Sequence, residues 1–335
     1  MKGFSLEQFM LKAWYGCHGW LLLLRPLSFL YRTGAVRRRQ RYLAGLAKHW
    51  HPPVPLIVVG NITLGGTGKT PMVIWLVDHL RQQGRRVGVI SRGYGASPPS
   101  LPWLIDPGSD VPEQVGDEPL LIARRCSVPV VVDPVRSRAA RFLLDEQTVD
   151  VIVSDDGLQH YAMGRTLELV MIDHRRGLGN ARCLPEGPLR EPVERLATVD
   201  FVIRNGADAD GENSYAMRLA PAALINVLSG EICAVANWVG GREVNAVAGI
   251  GNPQRFFETL ESLSFVPKKY AFPDHARYNA ASFSGFDPAM PVIMTEKDAV
   301  KCCGFAEPNW WYLSVEASMS EAFVQRFDAA LSAAK

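Results

Sequence analysis

The six cysteines, Cys17, Cys126, Cys183, Cys233, Cys302 and Cys303, form no CxxC and no zinc-like spacing. Disulfide scaffolds are short and cysteine-dense, so these residues are expected as reduced thiols, small buried hydrophobes of a cytoplasmic chain. Excess charge is also lacking: a net +2 argues against a general nucleic-acid binder. No uninterrupted apolar run of about 18–20 residues is present near the start, as a spanning helix needs. Lys12, His18 and Arg25-Pro26 interrupt the stretch from Phe9 to Tyr31. A cleaved leader is not expected either, because the positive charge follows the apolar segment and no A-x-A-like site ends it. Internal repeats and low-complexity tracts are absent. With 335 residues, 47% hydrophobic and 21% charged, the chain reads as folded and long enough for two domains.

The N-terminal stretch is rich in bulk: Trp14, Tyr15, Trp20, Leu21 to Leu24, Leu27, Phe29, Leu30 and Tyr31, followed by Arg37, Arg38, Arg39 and Arg41. That composition suits a helix lying in a membrane interface, with arginines on anionic headgroups. The alternative is a helix packed on the protein's own core. The arginine cluster favours the cytoplasmic membrane surface.

From Pro55 onward, short apolar runs alternate with longer amphipathic ones. Leu56 to Val59 reads as a buried strand and Pro71 to Leu80 as a helix with proline in its first turn. Further apolar runs follow at Arg86 to Ile90, Val128 to Val132, Val149 to Ser154, Leu167 to Ile172 and Phe201 to Ile203. Such alternation predicts a mostly parallel sheet covered on both faces. A polar stretch, Asn205 to Ser214, marks a boundary. Beyond it Met217 to Leu228 and Cys233 to Trp238 are expected to pair around Ser229-Gly230. A second β–α series runs from Val244 to Ile250, through a helix at Pro253 to Leu263 and strands at Val292 to Met294 and Trp310 to Val315. It closes on a helix from Ser320 to Ala333. The expected organisation is an N-terminal membrane-associated helix over residues 1–40, a P-loop domain over 41–210 and a smaller α/β domain over 211–335.

Between the first strand and helix lies Thr63-Leu64-Gly65-Gly66-Thr67-Gly68-Lys69-Thr70. Glycines allow successive backbone N–H groups to converge on phosphate oxygens, and the helix N-terminus adds partial positive charge. Lys69 is expected on the β- and γ-phosphates and Thr70 on Mg²⁺. Thr63 stands where the G-x-x-x-x-G-K-[ST] pattern has its first glycine. Leu64 stands where partitioning-type switch ATPases carry a second lysine, which argues against that class. The pattern N/T-K-x-D is missing near Arg204-Asn205, so ATP is expected rather than GTP. Val151 to Ser154 leads into Asp155-Asp156-Gly157, an apolar strand ending in two acids; alone it could be a helix cap or turn, but after a P-loop it reads as a metal-holding Walker B strand. Gly116-Asp117-Glu118-Pro119 precedes an apolar helix, where acids also suit the helix dipole. Asp274-His275 offers a tuned base. Arg92 and Tyr94, set between glycines after a strand, suit an anionic, ring-shaped substrate.

Together, GNITLGGTGKTP, SRGYG, GDEP, DDGLQH, LPEGPLREP, FPDHARY and MTEKDAVKC make the chain resemble the tetraacyldisaccharide 4′-kinase family, the lipid A 4′-kinases of Gram-negative bacteria. They span about residue 57 to residue 303 in the family's order. The resemblance implies an ATP-dependent lipid kinase acting on the 4′-hydroxyl of tetraacyldisaccharide 1-phosphate. It implies a P-loop α/β/α domain plus a second, smaller α/β domain, joined by a two-stranded linker, with the site in the cleft. Asp117 is implied as the catalytic base with His275 assisting, brought together by domain closure, and Lys69 in the loop. Thr70, Glu118 and Asp155 are implied around Mg²⁺, and Arg92, Tyr94, Gln159, His160 and Glu191 along the substrate. Glu186 departs from the family's alanine and is expected as a tolerated surface change. The expected partners are the lipid disaccharide and, through the N-terminal helix, the cytoplasmic face of the inner membrane; neither nucleic acid nor a protein partner is expected. A nucleotide-hydrolysing regulator and an acyl-phosphate-forming ligase are the competing classes. Arg92, Arg136 and Arg138 favour an already phosphorylated substrate.

Overall fold

The computed structural model describes residues 6–334, with side chains from residue 9 onward. Residues 1–5 and Lys335, the outer ends of the expected terminal segments, lie outside the described residues. The strands are β1 Leu56–Gly60, β2 Val87–Ser91, β3 Trp103–Leu104, β4 Val130–Val132, β5 Val151–Asp155, β6 Leu167–Asp173, β7 Phe201–Asn205, β8 Tyr215–Asn226, β9 Ile232–Ala234, β10 Glu243–Ala248, β11 Val266–Ala271, β12 Val292–Thr295 and β13 Trp310–Met319. The α-helices are α1 Leu6–Tyr15, α2 Arg25–Leu43, α3 Lys69–Gln82, α4 Pro112–Val115, α5 Asp117–Cys126, α6 Arg136–Glu146, α7 Pro253–Ser262, α8 Glu296–Cys302 and α9 Glu321–Ala333.

All five residues of β1 are buried, as continuous apolar runs are when helices cover both faces of a parallel sheet. β1 lies between β5 and β6 and is parallel to both, with Val58 opposite Ser154 and Glu168. On one face α3 turns Met72, Val73, Leu76, Val77 and Leu80 inward, a helical stripe that joins Ile57, Val59 and Val153 in one core. On the other face α6 packs Ala139, Ala140 and Leu143 against Leu56, Val58 and Ile152. Around the second half of the sheet, Phe256, Phe257 and Leu260 of α7 cover one face. Tyr278, Phe283 and Cys302 cover the other.

The halves share one sheet, ordered β11-β10-β12-β13-β8-β7-β6-β1-β5-β2-β4-β3, with β9 paired to β8. β8 makes the join. It starts parallel to β7, Ile203 opposite Tyr215, and continues antiparallel to β13 as far as Asn226 opposite Trp311. The pair expected around Ser229-Gly230 does form, but β9 is only three residues long and the main partner of β8 is β13. α9 then returns to the first core. Its Phe323, Phe327 and Leu331 pack among Leu76, Phe201 and Met217, although its sequence lies in the second series. Cys126, Cys183 and Cys302 are buried free thiols, whereas Cys17 and Cys303 are exposed.

The apolar N-terminal stretch is broken into α1, a 3₁₀ turn over Gly19–Leu24, and α2, which takes Pro26 in its first turn. Its two faces differ. Ala13, Trp14 and Leu21 are buried and pack on Leu64 and Leu184. Leu22, Leu23, Leu27, Phe29 and Leu30 face outward, Leu23 being 81% exposed. Among the described residues no helix is long and apolar enough to cross a membrane. Glu186 is not a surface substitution. It is buried, and its Oε1 accepts from Nε and Nη2 of Arg25 at 3.1 and 3.0 Å, fastening α2 to the body. Trp14 Nε1 donating to Pro185 O at 3.0 Å and Ser28 Oγ donating to Cys183 O at 2.7 Å extend the same seam.

Because Phe323 is fully buried among Trp75, Phe201 and Tyr215, Phe323→Ala should cost about 3–5 kcal/mol in urea denaturation. A loss below about 1 kcal/mol would show that α9 is not part of that core.

Candidate active site

The glycine loop leaves β1 and is held in shape by side chains outside it. Asn61, buried, donates from Nδ2 to Thr67 Oγ1 at 3.3 Å, while Arg190 donates to Asn61 Oδ1 at 3.3 Å. Thr63 forms an isolated antiparallel bridge with Leu189, and Arg190 N donates to Ile62 O at 2.6 Å. In that extended, strand-like setting no glycine is required, which accounts for the relaxed first position. Leu64 faces the N-terminal cluster of Trp14 and Leu21 and not the cleft. Gly68 caps α3 at φ 90°, and a Cβ there would fall 2.3 Å from Asn205 Nδ2, so glycine is demanded twice over. Opposite, Gly251 approaches so closely that its Cβ would stand 2.9 Å from Gly66 N. Between these loops opens a cavity of about 620 Å³, lined by Gly66 to Thr70, Glu118 and Asn205 from one half and by Ile250, Asp274 and Lys297 from the other.

Acids crowd the phosphate end. Asp155, at the tip of β5, is buried; Ser91 Oγ donates to its Oδ2 at 3.1 Å and its Oδ1 has no partner. Burial first, then the nearby Glu118 and Asp156 carboxylates, push the Asp155 carboxyl up to about 7. Asp156, at φ 47°, meets Lys69 Nζ at 3.7 Å and Arg190 at 3.1 Å. The unpartnered buried Oδ1 of Asp155 suits a hard divalent cation, while Asp156 and Glu118 are paired with Lys69, Arg190 and Lys297, and among the described residues no three acids, cysteines or histidines converge as a ready ligand set.

At the N-terminus of α5, Gly116 at φ 92° turns the chain so that Asp117 enters the cleft. His275 reaches it from the other half: its Nδ1 lies 3.1 Å from both Asp117 carboxylate oxygens. His275 itself sits at φ 56°, with its N–H donating to Asp274 Oδ1 at 3.0 Å. A left-handed non-glycine residue is strained, and such strain gathers where a side chain must be aimed. Burial would raise the Asp117 carboxyl, but the His275 hydrogen bond and the Lys297 and Lys301 charges outweigh it and bring it to about 2. Reciprocally, the Asp117 hydrogen bond raises the His275 imidazole above its ordinary range, against burial and the Lys297 charge. Lys297 bridges Glu118 Oε1 at 2.9 Å and Asp274 Oδ1 at 3.1 Å. Those acids raise its pKa despite burial, the largest opposing effect.

The remaining expected residues distribute unevenly. Tyr94 packs at 5.3 Å between ring centroids from His275, and Arg92 is exposed beside it. His160 is pushed down to about 4, by burial and then by Arg136, with Asp156 opposing and Arg92 adding to the effect. Gln159 serves the loop, donating to Asn61 O at 3.1 Å. Glu191 is buried away from the dyad, accepting from Tyr161 Oη at 2.7 Å and Arg195 Nε at 3.1 Å. Arg138 pairs with Asp133, and Arg136 is buried donating to the Asp133 and Asp155 carbonyls, so neither is a free anion receptor. Lys297, Asn205 and Arg190 were not among the site residues expected from the sequence, whereas Asp274 was expected only as the neighbour that tunes His275. Lys297 did carry a signal, its place in MTEKDAVKC, but a lysine in a helical first turn ordinarily faces solvent.

A family model described as tetraacyldisaccharide-1-P 4′-kinase matches residues 20–332. A tetraacyldisaccharide 4′-kinase of Pseudomonas fluorescens (strain SBW25) is 58% identical over 327 residues, covering 98% of this chain and 97% of the relative. That of Pseudomonas syringae pv. syringae (strain B728a) is 58% identical over 319 residues, covering 95% and 96%. Among solved structures, the Aquifex aeolicus LpxK in complex with ATP superposes with a TM-score of 0.78 at 28% identity, over 93% of this chain and 99% of that one.

Since pairing raises the His275 pKa above 6.5, the histidine's contribution to stability is fully present below about pH 6.5 and is lost as pH rises through the folded value, whereas that of Asp117 is lost only as pH falls from about 4 toward about 2. The melting temperature of the wild type should therefore fall more steeply above pH 6.5 than that of His275→Asn. Parallel curves would mean that the contact does not persist in solution.

Proposed function

The chain belongs to the tetraacyldisaccharide-1-P 4′-kinase family, and from that premise we propose how its own residues carry the reaction. The activity is transfer of the ATP γ-phosphate to the 4′-hydroxyl of tetraacyldisaccharide 1-phosphate. The observation that carries the proposal is the Asp117–His275 contact at 3.1 Å, made across the cleft beside the glycine loop.

The loop N–H groups and Lys69 hold the triphosphate and meet the charge that grows on the transferring phosphoryl group. Asp117 accepts the hydrogen of the acceptor hydroxyl. A carboxyl at about 2 stays ionised but is a weak base, so it orients the hydroxyl and takes the proton late, as the loose phosphoryl transition state allows. His275, hydrogen-bonded to that carboxylate and backed by Asp274, fixes its direction. Arg92, Tyr94 and His160 are the candidates for contact with the disaccharide; Gln159 and Glu191 act through the loop and its buttress. Thr70, Glu118 and Asp155 would hold Mg²⁺. When bound, that ion supplies charge neutralisation at the β- and γ-phosphates.

The 1–40 segment is proposed as the membrane contact, peripheral or monotopic, at the cytoplasmic face of the inner membrane. Exposed Leu22, Leu23, Leu27, Phe29 and Leu30, followed by Arg37 to Arg41 on α2, support this reading. The body divides into a P-loop part, 41–210, and a smaller part, 211–335, with α9 packed on the former.

Radiolabelled ATP and the disaccharide 1-phosphate in detergent should give labelled lipid with the wild type. Lys69→Ala and Asp117→Asn should each lower kcat by about 10²–10⁴-fold. No labelled lipid from the wild type would overturn the activity. For the membrane contact, the triple change Leu23→Asp, Phe29→Asp and Leu30→Asp spares the buried Trp14 and Leu21. It should weaken partition to anionic vesicles by about tenfold or more. Unchanged partition would place the contact elsewhere.

A further inference from the structure

Lys297 stands on the first turn of α8 with four acceptor atoms within 4 Å, those of Asp274 and His275 on its own half and those of Glu118 and Asp117 across the cleft. Glu118 Oε1 is 2.9 Å from its Nζ, Asp274 Oδ1 3.1 Å, His275 Nε2 3.4 Å and Asp117 Oδ2 3.8 Å. The first three lie within hydrogen-bond reach and take all three N–H donors of the ammonium, which leaves Asp117 Oδ2 with an ion pair alone. The neighbouring Lys301 offers little relief, being 2.8 Å from Asp298 and 4.0 Å from Asp117. Glu118, the shortest contact, is also the carboxylate proposed above for the divalent cation. A cation on Glu118 takes over that charge and leaves three acceptors for three donors, all of them in the Asp117–His275–Asp274 group. A donor on His275 Nε2 also requires that nitrogen to be the acceptor, which leaves the ring proton on Nδ1, the nitrogen facing Asp117.

We propose that Lys297 is a positioning residue that moves its hydrogen bonding from Glu118 to the Asp117–His275–Asp274 group when a divalent cation occupies Glu118. Lys297 then bridges the two halves through Asp117, the proposed base, in place of Glu118. The proposal rests on the reading of Asp117 as acceptor base and Glu118 as metal ligand. It adds that ammonium and metal compete for one carboxylate. A lysine that merely braces α8 against α5 would show no such competition, and its loss would weaken nucleotide binding and turnover together.

Lys297→Met keeps the length of the side chain and removes the charge. Binding of a non-hydrolysable fluorescent ATP analogue, titrated with Mg²⁺, should then reach half-saturation at a Mg²⁺ concentration about threefold or more below the wild-type value. In the transfer assay the same variant should lose about 100-fold in kcat, with the lipid KM changed by less than about threefold. An unchanged or higher Mg²⁺ requirement, or a kcat within about threefold of wild type, overturns the proposal. Should Lys297→Met fail to fold, ¹⁵N-histidine spectra of the wild type decide, with His275 assigned through His275→Asn and the ring neutral. The expected pattern is a proton on Nδ1 and an Nε2 acceptor signal that shifts with Mg²⁺ and nucleotide but not with nucleotide alone. A proton on Nε2, or identical spectra with and without Mg²⁺, overturns it. Labelled lipid from the wild type, and its loss in Asp117→Asn, separately test the reading underneath. If those hold and the Lys297 results do not, only this inference falls.

Discussion

Four carboxylates, those of Asp117, Glu118, Asp155 and Asp274, gather in one cleft against Lys69, Lys297 and His275, and the rest of the architecture serves to hold them there. Charges withdrawn from water are costly unless they are paired at close range. The pairing here is incomplete by design of the fold: Asp117 is held near 2, whereas Asp155, with one oxygen unpartnered, is driven to about 7. A triphosphate would add still more negative charge. Surplus acid beside the glycine loop would repel a triphosphate unless a cation lay between them, which is the part proposed for Mg²⁺.

That arrangement depends on a continuous sheet. β8 and β13 pair along almost their whole length and carry the second α/β series on the same surface as the first. The contact of Gly251 with Gly66 then places the second half directly over the phosphate loop. α9, returning to the core of Leu76 and Phe201, ties the end of the chain to the half that holds the loop. The N-terminal segment is joined to the same loop from outside. Leu64 packs on Trp14 and Leu21, and the segment from Cys183 to Arg190, which supports α1 and α2, also bridges Thr63. The surface proposed to meet the bilayer and the loop proposed to hold ATP therefore share one buttress.

Much of this was readable from the chain. The β-branched run at Leu56 to Val59, the glycines and Lys69-Thr70 encode their structure locally, and they fold as read. β11 escaped notice because Val266–Ala271 carries Pro267, Lys268 and Lys269 and is largely exposed at the sheet edge, so it lacks an apolar run. Glu186 looked like a surface variation because nothing nearby in sequence reveals that Arg25 descends onto it, 161 positions away. Glu191 was expected along the substrate from its place in LPEGPLREP, whereas its carboxylate is buried against Arg195 and Tyr161, residues outside that motif.

By itself the sequence determined the phosphate loop, the alternating β–α order and the family, because these rest on neighbouring residues and on motifs in a fixed order. Tertiary structure alone decided which charges meet. Asp117 and His275 are 158 positions apart, and Lys297 and Glu118 are 179 apart. No local propensity or periodicity encodes a contact at that separation. It exists because one sheet carries both halves and turns α5 and α8 toward each other across the cleft.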